Sequence, residues 1–286
     1  MLTALLFPGQ GAPAAGWHET VAERVPDLLE LATDLVGEDP FERVGCGTEF
    51  DQPAIYCTCL AAYEIAGRPK AAFHAGHSLG ELAALACAGA LTPEDGLRVA
   101  VERGRLTAEA GRGGPAGSML AVRAPADELE QVAAANDVSI ANFNSPSQTV
   151  LSGGIAGIEA VERELNERGL LVKRLKVSGA FHSPQMQPAA QGLSEVLATI
   201  EFSEPSVPVI SGRTAKPFFD PPSELVAALT EPVRWIEVVG TLVSAGVERW
   251  VEVGPGRALA GLVKKSIADP AGAIVEAVAI PEPTRA

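Results

Sequence analysis

The sequence predicts an α/β protein in which a small subdomain is inserted into a larger core. Three observations carry this reading. Strand and helix signals alternate along most of the 286 residues. A G-x-S-x-G, Gly76-His77-Ser78-Leu79-Gly80, lies between an apolar strand and a helix. Between residues 118 and 177 the order changes to strand, helix, strand, strand, helix, strand.

Residues 2–7 are an apolar run that ends at once in Pro8-Gly9-Gln10-Gly11, which makes them a first buried strand. Residues 19–36 space their apolar positions as one helix does, and residues 53–66 read as a second, apolar helix. Residues 71–75 form a short buried strand feeding the Ser78 turn, followed by a helix over residues 81–88. Pro93 opens another helix with Glu94 and Asp95 in its first turn, where acidic side chains favour the positive helix end. Gly111-Arg112-Gly113-Gly114-Pro115 breaks the pattern. Then come a strand from Ser118, a helix over 125–135, a strand, a strand over 149–152, a helix over 157–168 and a last strand. That order is ferredoxin-like. After Ser178 the alternation resumes, with strands at 207–210 and 250–253, the second ended by Gly254-Pro255-Gly256 before a helix. The chain therefore divides into an α/β-hydrolase-like core, 1–112 and 179–286, and a ferredoxin-like subdomain, 113–178.

Composition narrows what such a fold can do. Hydrophobic residues make up 47% and charged ones 20%, which excludes a disordered chain. A chain this long buries roughly three quarters of its unfolded surface, so it needs no disulfide or structural metal. The net charge of −14 argues against nucleic acid, whose phosphates demand surplus Lys and Arg. Of the four cysteines, Cys46, Cys57, Cys59 and Cys87, none forms a CxxC pair, and Cys57 and Cys59 read as small core residues. The N-terminal strand lacks a charged leader, and the longest apolar stretch, near 82–91, falls short of the ~20 residues of a membrane span. A cytoplasmic enzyme without membrane contact is expected.

The G-x-S-x-G has the context of a nucleophile elbow, in which a sharp turn lifts the serine Oγ out of the sheet. A serine needs a base, and the histidines are His18, His74, His77 and His182. His77 adjoins Ser78 and should point away from its Oγ, while His74, on the preceding strand, reads as a satisfied core residue. Only His182 lies well downstream, so elimination pairs it with Ser78. No downstream Asp or Glu is clearly placed to orient His182; a fixed backbone carbonyl at Nδ1 would serve as well. Arg103 follows in a helix near the elbow. Its residue type allows either a surface charge paired with Glu102 or Glu109, or a guanidinium gripping a substrate carboxylate, and composition alone favours the surface.

Eight blocks in order resemble a known family: Phe7-Pro8-Gly9-Gln10-Gly11, Asp51-Gln52-Pro53-Ala54, Ala75-Gly76-His77-Ser78-Leu79-Gly80-Glu81, Glu102-Arg103-Gly104, Asn142-Phe143-Asn144-Ser145-Pro146, Gly179-Ala180-Phe181-His182-Ser183, Pro232-Val233-Arg234-Trp235 and Glu252-Val253-Gly254-Pro255-Gly256. The sequence is similar across nearly its whole length to malonyl-CoA:acyl-carrier-protein transacylases and to polyketide synthase acyltransferase domains. The resemblance implies that Ser78 takes the acyl group and His182 is its base, oriented by a backbone carbonyl near Ala228. It implies that Gln10 and Leu79 offer the oxyanion-hole N–H groups, and that Arg103 clamps the substrate carboxylate. Gln52, Asn142 and Asn144 fall in blocks lining the family's site. Phe181 goes with malonyl rather than methylmalonyl units, because its ring leaves little room beside the α-carbon.

The implied substrates are malonyl-CoA and an acyl carrier protein bearing phosphopantetheine, with no metal and no cofactor of the enzyme's own, in a chain acting as a monomer. Polyketide trans-acyltransferases, editing acyl hydrolases and the malonyltransferase of malonate decarboxylase share the scaffold; a non-catalytic docking module would need Ser78 or His182 replaced. Four features depart from the family pattern. Ala228 stands where Gln is common, Gly212 where Asn is common and Thr107 where Met often lines the acyl pocket, and the stretch between Glu30 and Gln52 is short. For an acidic carrier protein to dock on an acidic chain, positive groups must cluster locally; Lys173, Arg174, Lys176, Arg213, Lys216 and Arg257 are candidates, with Arg174 and Lys176 expected on one strand face.

Overall fold

The computed structural model describes residues 1–279. The chain opens with β1 (Leu2–Phe7), α1 (His18–Arg24), α2 (Pro26–Val36), α3 (Thr48–Ile65), β2 (Phe73–Gly76), α4 (Gly80–Cys87) and α5 (Pro93–Gly113). Then follow β3 (Gly117–Val122), α6 (Glu130–Ala135), β4 (Val138–Ser145), β5 (Gln148–Gly154), α7 (Ile155–Glu167) and β6 (Val172–Arg174). The last part carries α8 (Gln187–Leu197), β7 (Val209–Ile210), α9 (Pro221–Ala227), α10 (Trp235–Ser244), β8 (Val247–Glu252), α11 (Ala258–Ser266) and β9 (Ile274–Ala277).

Two sheets result. The first is wholly parallel, in the order β7-β2-β1-β8-β9. Its central strand β1 is buried on both faces: Leu5 and Phe7 enter one core, Ala4 and Leu6 the other, all at 0% exposure. That burial is what a continuous apolar run means in a parallel sheet covered by helices. The second sheet is antiparallel, in the order β4-β5-β3-β6, with α6 and α7 supplying its helices. This is the ferredoxin-like arrangement, and the two sheets together make the α/β-hydrolase-like core with its insert.

Several expected boundaries move, for identifiable reasons. The single helix over 19–36 is two, α1 and α2, because Pro26 has no N–H and forces Val25 out of helical geometry (φ −140°, ψ 55°). The helix expected from Pro53 begins at Thr48 and carries Pro53 inside it. The break expected at Gly111 comes later, since α5 runs on to Gly113. Gly111 has a different purpose: a Cβ there would lie 2.6 Å from the Ser178 carbonyl, so glycine lets the returning chain cross against α5. β6 ends at Arg174, so Lys176 lies beyond the strand and shares no strand face with it.

The antiparallel sheet is fastened to the core where the site forms. Val233 N donates to the Ala141 carbonyl, and Phe143 N donates to the Val233 carbonyl, both at 2.9 Å. These bonds bring the end of β4, with Asn142 and Asn144, beside the turn that follows β2.

Candidate active site

Ser78 stands at the exit of β2 with φ +56°, a left-handed backbone that a non-glycine residue adopts at a cost of about 1–3 kcal/mol. The surrounding glycines permit this turn. A Cβ on Gly80 would lie 2.0 Å from the Phe7 carbonyl, and one on Gly9 would lie 2.3 Å from the His77 carbonyl. The turns after β1 and β2 therefore press against each other backbone to backbone. That contact puts Gln10 and Ser78 on the wall of one cavity, with Leu79 next to Ser78 at the foot of α4. Among the described residues, neither the Gln10 nor the Leu79 amide donates a hydrogen bond elsewhere in the backbone.

His182 Nε2 lies 2.8 Å from Ser78 Oγ. The Nδ1 of His182 is 2.8 Å from the Ala228 carbonyl and 3.1 Å from the Glu231 carbonyl. Carbonyls only accept, so Nδ1 carries the proton and Nε2 turns its lone pair to the serine hydroxyl. Ala228 is the cap residue at the end of α9, where helix carbonyls lack internal partners. No acidic orienter is required there. Burial, aided by the Arg103 charge and by His77, lowers His182 to about 3, so the ring is neutral at physiological pH.

Arg103 overturns the surface reading of its residue type. It is 8% exposed and faces the cavity from α5. Its Nη2 donates to Ser78 Oγ at 2.9 Å and its Nη1 to Gln52 Oε1 at 2.8 Å. Burial lowers its pKa to about 10 while the Glu81 carboxylate opposes that shift, so it keeps its charge. Gln52 Nε2 in turn donates to Thr107 Oγ1 at 3.2 Å.

The cavity measures about 560 Å³, ordinary for a small-molecule site, and Phe181, Asn142 and Thr107 also line it. Asn144 is not in its lining; its Oδ1 accepts from His77 Nε2 at 3.0 Å, which commits that nitrogen to Asn144. His74 is a buried core residue with Nδ1 3.2 Å from the Ala84 carbonyl, and His18 pairs with Asp39 and does not line the cavity. Gly212, one of the departures, donates its N–H to Glu81 Oε1 at 2.7 Å.

Glu81 is a site neighbour whose role the sequence did not reveal. Burial raises it to about 7, and in its ionised form it favours the Arg103 charge electrostatically. A carboxylate in the first turn of an otherwise apolar helix, Glu81-Leu82-Ala83-Ala84-Leu85, is the signal that could have marked it. The Glu231 carbonyl left no such signal. Of the basic candidates for docking, Lys173 and Lys176 are exposed on the cavity rim. Arg174 is paired with Glu162 and Glu159, and Arg213 with Glu231.

Fold and site together define an α/β enzyme with a serine poised for acyl transfer. The chain belongs to the acyl transferase domain family, whose sequence model matches residues 33–280. It is 36% identical to a malonyl CoA-acyl carrier protein transacylase of Bacillus subtilis, over 92% of this chain and 89% of that one. It is also 36% identical to the polyketide biosynthesis protein ThaF of Burkholderia thailandensis, covering 94% of this chain but only 24% of that much longer protein. Among solved structures, an acyl-carrier-protein S-malonyltransferase from Bartonella henselae superimposes with a TM-score of 0.89 at 29% identity, covering 99% and 96% of the two chains. A malonyl CoA-acyl carrier protein transacylase from Coxiella burnetii gives 0.86 at 32%, covering 96% and 93%. Among the described residues no helix is long and apolar enough to cross a membrane.

Proposed function

We propose that the protein moves a malonyl group from CoA to the phosphopantetheine thiol of an acyl carrier protein, for fatty acid or polyketide synthesis, through an ester on Ser78. The observation that carries the malonyl assignment is the buried Arg103 guanidinium 2.9 Å from Ser78 Oγ, a fixed cation within reach of the acyl site. With a neutral acyl group on Ser78, the Nη2 of that cation would face no carboxylate, which speaks against an editing hydrolase for neutral acyl groups.

In the first half-reaction His182 Nε2 takes the Ser78 proton as Oγ attacks the thioester carbonyl. The oxyanion is held by the Gln10 and Leu79 N–H groups, one such donor being worth ~10²–10³ in rate. Collapse breaks the C–S bond, and the CoA thiolate leaves with the proton from His182. Acylation of Oγ frees Arg103 Nη2 for the malonyl carboxylate. In the second half-reaction the carrier's thiol gives its proton to His182 and its sulfur attacks the ester carbonyl. Ser78 Oγ leaves and recovers the proton. The exchange is redox-neutral and uses no group beyond these side chains and amides.

Malonyl-CoA and the carrier protein are thus the partners. All of this machinery comes from one chain, which supports a monomer, and four unpaired thiols suit the reducing cytoplasm. The test is incubation with a panel of acyl-CoAs, read as mass added to the intact protein. Malonyl-CoA should add one malonyl group and acetyl-CoA little; equal labelling by both would overturn the assignment.

A further inference from the structure

Thr107 and Gln52 lie 55 residues apart in sequence and meet in the buried wall behind Arg103, at 2% and 1% exposure. The Thr107 hydroxyl has a single proton. Its Oγ1 is 2.7 Å from the Arg103 carbonyl, one helical turn back, and 3.1 Å from the Gly104 carbonyl. Both of these only accept, so the proton points into the helix backbone and the remaining lone pairs can only accept. One accepts from Gln52 Nε2 at 3.2 Å.

The Gln52 amide is thereby left one orientation, with Oε1 turned to Arg103 Nη1 at 2.8 Å. Reversed, it would set an NH₂ against the guanidinium and a carbonyl oxygen against the hydroxyl's lone pairs. We infer that Thr107 is a positioning residue: through Gln52 it fixes the Arg103 guanidinium at the acyl site, and so sets how strongly the protein prefers acyl-CoAs with a free carboxylate over neutral ones. The inference rests on the function proposed above.

Thr107→Val keeps the shape of the side chain and removes the acceptor, leaving a buried N–H₂ without a partner. Single-turnover acylation should show kcat/KM for malonyl-CoA about tenfold lower, the size of one lost buried hydrogen bond, with KM carrying most of the change. Acetyl-CoA, which has no carboxylate for Arg103 to hold, should lose less, so the malonyl-to-acetyl ratio falls. Thr107→Ser, which keeps the hydroxyl, should restore the ratio. Thr107→Ala, which also removes the acceptor, should lower it and serves if the valine variant does not fold. A purely structural role would depress both substrates alike; that outcome, or an unchanged ratio in Thr107→Val and Thr107→Ala, overturns the inference alone. An unaltered protein that takes up no malonyl group overturns the proposed function first.

Discussion

Arg103 Nη2 donates to Ser78 Oγ at 2.9 Å, so the cation that would hold the substrate's carboxylate already touches the nucleophile. The serine oxygen thus accepts from the guanidinium while its proton faces His182 Nε2 at 2.8 Å. A positive charge at that distance favours the developing alkoxide, and the same charge helps to hold His182 neutral.

Arg103→Ala should therefore damage two steps at once. We expect kcat/KM for malonyl-CoA to fall at least about 10²-fold, as when a charged hydrogen-bond partner is removed. Activity on acetyl-CoA, relative to malonyl-CoA, should rise. Parallel acylation time courses with the two thioesters check this.

The pH profile follows from His182. An ordinary histidine would charge near 6.5 and lose its basicity there. Held near 3 by burial and the Arg103 charge, His182 stays neutral across the accessible range. Acylation rates measured between pH 5 and 8 should show no acid limb centred near 6.5. Stability carries the opposite sign: the unfolded chain binds the His182 proton from about 6.5 downward while the folded chain refuses it until about 3. The contribution is full above 6.5 and is lost as pH falls through that window. Because Glu81, raised to about 7, works the other way, the His182 share is read as the gap in thermal midpoint between the unaltered protein and His182→Ala, which should narrow as pH falls there.

Lys173 and Lys176 are the exposed cations on the cavity rim of a chain with net charge −14. Reversing both to Glu should raise KM for an acidic carrier protein about tenfold at low salt, and added salt should erase the difference. Transfer to free pantetheine, measured alongside, should barely change.

Much of this arrangement is legible in the sequence because it follows from local rules. β1 shows itself as an apolar run, the elbow as glycines around Ser78, and the insert as a change in element order. Where tertiary contacts decide, the sequence is mute. Helix α3 starts at Thr48, before the Pro53 that seems to open it, where Thr48 Oγ1 donates to the Gly104 carbonyl and Gln52 bonds to Arg103 and Thr107 of α5. β9, an edge strand with alternate residues exposed, offered too weak a pattern to find. At the site, His182 follows by elimination, but the carbonyls that orient it belong to backbone and carry no residue signature. Arg103 looks like any helix-surface arginine until α5 is packed against α3.

In the function proposed above, Ser78 carries the acyl group and His182 is its base. The most direct measurement is the intact mass of the protein and of its Ser78→Ala and His182→Ala variants after incubation with malonyl-CoA. The unaltered protein should gain one malonyl group, Ser78→Ala none, and His182→Ala should gain it ~10²–10⁴-fold more slowly. Full malonylation of the Ser78→Ala variant would mean that another group carries the malonyl ester.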